Sequence, residues 1–174
     1  MDSPLVQVLL YFIPAALVLS ACYLMLKKFL DNEQKLKLLT LKRDMNSTTL
    51  PLRLQAYERL TIFLERISPN SLLFRVQKNN QSVREMQSEL LNTIRTEFEH
   101  NLSQQIYVSP KSWEMVKNAK EDIVKIVNIA ASKVPAQGPS VELSKMVFEV
   151  ILKTESLPTQ KALDQIKGEV RQII

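Results

Sequence analysis

The sequence predicts an all-α protein: a single N-terminal transmembrane helix followed by a bundle of about five or six helices. Three observations predict it. Ser3 to Leu26 contains no charged side chain and stops abruptly at Lys27 and Lys28. Beyond it, apolar residues recur at spacings of three and four, which places them on one face of a helix. The chain has only 2 Gly, too few for tight-turn β architectures or a glycine-rich phosphate loop. A composition of 45% hydrophobic and 24% charged residues is that of a folded chain rather than a disordered one.

These features divide the chain into residues 1–28, a transmembrane anchor with a basic exit, residues 29–48, a basic juxtamembrane helix or linker, and residues 49–174, a cytoplasmic helical domain. As a helix the apolar run would be about 36 Å long, against a hydrocarbon core of about 30 Å. Only the amino group and Asp2 flank it on one side, while Lys27 and Lys28 flank it on the other. The positive-inside rule then puts the amino terminus outside and the remainder in the cytoplasm, at the inner membrane. A cleaved secretory signal would want a basic n-region and a shorter apolar core, and both are missing. Leu19-Ser20-Ala21-Cys22 has the shape of a lipoprotein-processing box, but no Lys or Arg precedes the run and Tyr23 to Leu26 continue it. Pro14 is of the kind tolerated within spans.

Lys27, Lys28, Lys35, Lys37, Lys42 and Arg43 outnumber Asp31 and Glu33, so most of the formal charge of +5 is juxtamembrane. Near anionic headgroups each such cation contributes about 1 kcal/mol. With Phe29, Leu30, Leu36, Leu38, Leu39 and Leu41 between them, the segment reads either as a continued helix or as an amphipathic stretch on the lipid surface. Asn46-Ser47-Thr48-Thr49 reads as a break and a helix start.

Leu50 to Ile67 carries Tyr57, Leu60, Leu64 and Ile67 on one helical face, widened by Leu52, Ile62 and Phe63, a pattern of core packing. Ser68-Pro69 ends that helix and opens a short one through Leu72, Leu73, Phe74 and Val76. After a polar turn at Lys78–Gln81, Ser82 and Glu85 have the spacing of a capping box. Val83, Met86, Leu90, Ile94, Phe98 and Leu102 follow as a stripe, to an end near Gln104. Ile106-Tyr107-Val108 reads as a short extended connection, and Ser109-Pro110 as a cap with a first-turn proline. Trp113, Val116, Ile123, Val127, Ala130 and Val134 form the next stripe. Pro135-Ala136-Gln137-Gly138-Pro139 breaks the chain before two shorter helices, about Ser140 to Thr154 and the segment past Pro158.

No residue set points to catalysis. His100 is the only histidine and reads as a surface or helix-end residue; Cys22 is the only cysteine, so one Cys and one His make neither a disulfide nor a zinc site. Glu97 and Glu99 stand two apart, on different helical faces. No cofactor or metal is expected. The arginines are scattered among acids, unlike a nucleic-acid-binding face. The expected partners are the lipid bilayer and either another protein or a second copy. Arg53, Tyr57, Arg66, Arg75, Gln104, Tyr107 and Trp113, around the helix junctions, are the candidate partner surface, since Arg, Tyr and Trp supply interface anchors. The competing reading is that they tie helix ends together.

Leu52-Arg53-Leu54-Gln55-Ala56-Tyr57-Glu58-Arg59-Leu60, continuing through Leu64-Glu65-Arg66-Ile67-Ser68-Pro69, and Glu97 to Ser109 followed by Trp113, resemble an uncharacterised family of membrane-anchored helical proteins from Bacteroidota. The resemblance covers most of the chain and implies an anchored helical protein, with no activity to carry over. The expectation is a membrane-anchored scaffold or accessory subunit. The alternatives are a lipid-anchored envelope protein with the same domain, or a membrane-bound enzyme or small-ligand sensor.

Overall fold

The computed structural model describes residues 4–154 and 156–173, with the side chains at 4–11, 14–16, 42 and 44–46 outside the described residues. Among the described residues the chain is all-helical: α1 (Pro4–Arg66), α2 (Pro69–Val76), α3 (Val83–Glu99), a 3₁₀ helix (Leu102–Ile106), α4 (Pro110–Ala131), α5 (Ser140–Leu152) and α6 (Pro158–Ile173). It divides into two units, Met1–Thr49 and Leu50–Ile174.

In the first unit, Leu17, Val18, Leu19, Leu24, Met25 and Leu26 are all exposed. Among the described residues no helix is long and apolar enough to cross a membrane. Ser3 and the side chains at 4–11 and 14–16 of the expected span lie outside them. The expected break at Asn46–Thr49 is absent, since α1 is helical throughout. No Gly or Pro interrupts those four residues. Hydroxyl side chains are accommodated elsewhere on α1 by bonding back to the preceding turn, Thr40 Oγ1 donating to Leu36 O (2.9 Å) and Thr61 Oγ1 to Tyr57 O (2.8 Å).

In the second unit the last turns of α1 bury Ala56, Tyr57, Leu60, Phe63 and Leu64, with Ile67 just past its end, in one core. Leu72 and Val76 of α2, Met86, Leu90 and Ile94 of α3, Val116, Ile123 and Val127 of α4, Leu143 and Val147 of α5, and Leu163 and Ile166 of α6 complete it. α4 packs against α3, α5 and α6. Successive members of these sets mostly stand three, four or seven residues apart, so most of each helical stripe is core; Leu52, Ile62, Phe74 and Leu102, expected on the same apolar faces, are instead exposed.

The helix starts follow local chemistry. Ser82 Oγ accepts from Glu85 N while the Glu85 carboxylate accepts from Ser82 N (2.9 Å), a reciprocal capping box. The Ser82 backbone N–H first, and then the Ser82 hydroxyl, which also donates to the carboxylate (2.8 Å), hold the Glu85 carboxyl below its ordinary range. Asn80 supplies the left-handed residue (φ 61°) of the turn before it. The break at Pro135–Pro139 is pinned to this turn by Val83 N donating to Gly138 O (2.9 Å) and Ser140 N to Gln81 O (2.9 Å). A Cβ on Gly138 would stand 3.1 Å from Pro135 O, so glycine permits that approach. The connection at Ile106–Val108, expected to be extended, instead begins inside the 3₁₀ helix, which ends at Ile106, with Tyr107 itself in a helical conformation. Asn101 Nδ2 donates to Glu97 O (2.8 Å) as α3 ends, and Gln104 N to Asn101 O (3.0 Å), so local bonds wind the segment.

Candidate functional site

Among the described residues of the second unit, Glu169, near the end of α6, is the most heavily bonded carboxylate. Its Oε1 accepts from Tyr57 Oη (2.6 Å) on α1 and from Ser109 N (3.2 Å). Its Oε2 accepts from Ser109 Oγ (2.7 Å) and from Ser112 Oγ. Ser109 caps α4, accepting from Ser112 N (3.1 Å), so the carboxylate sits where that helix presents unpaired N–H groups and its positive pole. Arg53 closes the cluster, donating from Nε to Tyr107 O (3.2 Å) and from Nη2 to Tyr57 Oη (3.4 Å), with Nη2 4.0 Å from Glu169. Burial pushes the Glu169 carboxyl up, but the bonds from Ser112, Tyr57 and Ser109 together outweigh it and leave it below the ordinary carboxylate range. Tyr57 is pushed up, by burial first and then by its bond to Glu169, with Arg53 opposing. The result is an ionised carboxylate and a protonated phenol that fasten α6 to α1 and α4.

A second junction forms around Glu97 of α3. One oxygen, Oε1, takes Arg66 Nε (2.8 Å), Arg66 Nη2 (2.7 Å) and Arg75 Nη1 (3.3 Å). Arg75 Nη2 also donates to Arg66 O (3.2 Å) at the carboxyl end of α1. Two exposed or half-exposed guanidiniums thus meet one largely covered carboxylate.

The seven residues of the expected partner surface therefore separate. Arg53, Tyr57 and the Tyr107 carbonyl meet at Glu169, whereas Arg66 and Arg75 meet at Glu97. Tyr57 and Gln104 are buried, at 2% and 7% exposure. Trp113 stacks on Phe98 (5.5 Å between centroids, 22° between planes), and Phe98 in turn leans on Phe63 (5.8 Å). Of the expected headgroup contacts, Lys27, Lys28, Lys35, Lys37 and Arg43 are exposed, and the Lys42 side chain lies outside the described residues. His100 is the exposed C-cap of α3. Among the described residues no group of acidic, His or Cys side chains is placed to hold a metal ion.

Sequence reasoning did not single out Glu169, Ser109 and Ser112 as a set, because they are joined only in space. The one signal was that Ser109 precedes Pro110 and so marks a helix start.

A groove of about 580 Å³ lies between α3, the 3₁₀ helix and α4. Leu91, Ile94, Phe98, Leu102 and Val124 form its apolar walls, with Arg95, Glu99, Lys120, Glu121 and Asn128 around them. Gln87 Nε2 donates to Asn128 Oδ1 (2.9 Å), joining α3 to α4 beside it. Lys120 Nζ lies 4.8 Å over the Phe98 ring and 2.5 Å from Glu121.

No curated protein and no solved structure matches this chain. The model of a family of unknown function, DUF7935, matches residues 3–173, nearly the whole sequence, and the chain belongs to that family.

Proposed function

We propose that this protein is a membrane-anchored helical scaffold or accessory subunit whose second unit binds another protein. The observation that carries the anchor is the run of exposed apolar side chains in the first unit. Leu17, Val18 and Leu19, then Leu24, Met25 and Leu26, are consecutive, so they point around the helix rather than to one side. A helix apolar on all faces is stable where its whole circumference is surrounded by apolar material, and a bilayer supplies that. Lys27, Lys28, Lys35, Lys37 and Arg43 follow at the end expected for the cytoplasmic side. The scaffold part of the reading is supported by the use of the second unit's most heavily bonded carboxylate, Glu169, as a fastening between helices.

The test has two steps. After alkaline extraction the full chain should stay with the membrane pellet, and exchange of Leu17, Leu19 and Leu24 for Ser should release it. Tagged protein drawn from native membranes in mild detergent should bring a stoichiometric partner. Release of the unaltered chain by alkali would sink the anchor; recovery of a clean monomer would sink the scaffold.

A further inference from the structure

We infer that the groove between α3 and α4 is a binding site for a small amphipathic anion, a carboxylate or phosphate group carrying a short apolar body. Its volume of about 580 Å³ falls in the range of about 300–1,000 Å³ typical of small-molecule sites. The fully buried Ile94 and the half-buried Leu91, Phe98 and Val124 give an apolar floor, and Leu102 continues it to one end.

Two cations, Arg95 and Lys120, and two carboxylates, Glu99 and Glu121, edge that floor, so the formal charge sums to zero and what distinguishes them is depth and pairing. Lys120 is the inward member of its ion pair, its side chain 21% exposed over Phe98, while Glu121 is 53% exposed and faces water. Arg95 is exposed at the rim and, among the described residues, makes no hydrogen bond or ion pair, leaving its guanidinium fork unspent. Glu99, one turn on, is also exposed and without an ion pair among the described residues. An anion entering over the floor would therefore meet Lys120 from within and Arg95 at the rim, and its apolar body would cover Leu91 and Val124. A neutral ligand would gain only the second contact, and a small anion without an apolar body only the first.

The only tryptophan reports on this place, because Trp113 stacks on the back of the groove-lining Phe98. The experiment is a titration of the full chain, held in nanodiscs of zwitterionic lipid, followed by Trp113 emission. The probes are octanoate, its neutral counterpart octanamide, hexyl phosphate and acetate. Octanoate or hexyl phosphate should shift the emission saturably, and the better of the two names the headgroup. Octanamide should bind about tenfold more weakly, and acetate should have no effect. Arg95→Gln, an exposed change that leaves the core intact, should weaken the anions about tenfold and leave octanamide unchanged. Val124→Phe should block every probe by filling the groove, with far-UV circular dichroism reporting that the helices persist. Equal affinity for octanoate and octanamide, an unchanged anion response in Arg95→Gln, or no saturable response would overturn the assignment. So would a signal that survives Val124→Phe in the folded protein, which is partition into the bilayer.

Discussion

Glu97 and Glu169 are both carboxylates that hold three segments of the second unit together, yet they do it by opposite means. Glu97 is held by formal charge, with Arg66 and Arg75 converging on one oxygen and Arg66 51% exposed. Glu169 is held mainly by neutral donors, three hydroxyls and a backbone N–H divided over both oxygens, and its side chain is 13% exposed. An exposed ion pair is screened by water and salt and contributes little. A covered carboxylate with its lone pairs occupied leaves several covered donors unsatisfied if it is removed, which makes removal expensive. The comparison teaches that the carboxylate held by neutral donors is the stronger fastening and the one held by guanidiniums the more adjustable.

The largest expected effect is therefore at Glu169. Glu169→Leu strands the Tyr57, Ser109 and Ser112 hydroxyls and should cost about 3 kcal/mol or more. In a thermal melt of the full chain that is a fall of roughly 10 °C. A melt within a degree or two of the unaltered protein would mean that water replaces the carboxylate without loss.

The pH dependence of the Glu169 junction comes next. The folded Glu169 carboxyl lies below its ordinary value, so its contribution is fully present above the carboxylate range. It is lost as pH falls through that range to the depressed folded value. Denaturant melts from pH 7 downward should show that loss, and Glu169→Gln should flatten it, having already given up the ionised form at neutral pH. An equally steep acid limb in the Gln variant would assign the loss to other groups.

At Glu97 a smaller effect is expected. Glu97→Gln should cost about 1 kcal/mol at low salt and less at 1 M salt, where the Debye length is about 3 Å. The Glu169→Leu deficit should hold steady across the same salt series. The smallest effect belongs to Arg53→Gln, because Arg53 is 4.0 Å from Glu169 and 39% exposed. Below about 0.5 kcal/mol is expected, and a loss as large as that at Glu169 would mean the junction depends on charge after all.

The parts of this architecture legible in the sequence are those set by neighbours along the chain. The stripes through Leu60, Leu64 and Ile67 and through Met86, Leu90 and Ile94 announce their helices because burial imposes the helical period. Ser82 with Glu85, and Ser109 with Pro110, announce helix starts because the cap is built within four residues. The polar run at Asn46–Thr49 misled, since Ser, Thr and Asn lower helix propensity only modestly and do not by themselves end a helix. Glu169 was illegible for a different reason. Its partners lie 57, 60 and 112 residues away, and a Glu in the last helix looks like any solvated one until the fold brings Tyr57 to it.

That distance bears on how the protein is made. Synthesis delivers Tyr57 before Ser109 and Ser112, and their common acceptor follows only with α6. Until α6 emerges, the seat of Leu163 and Ile166 stands open to water and the three hydroxyls have no carboxylate to bind. A chain that stops short of α6, through a nonsense codon or a stalled ribosome, would carry that open seat for as long as it exists. It is thereby marked for proteases by the same contacts that, once closed, complete the folded domain.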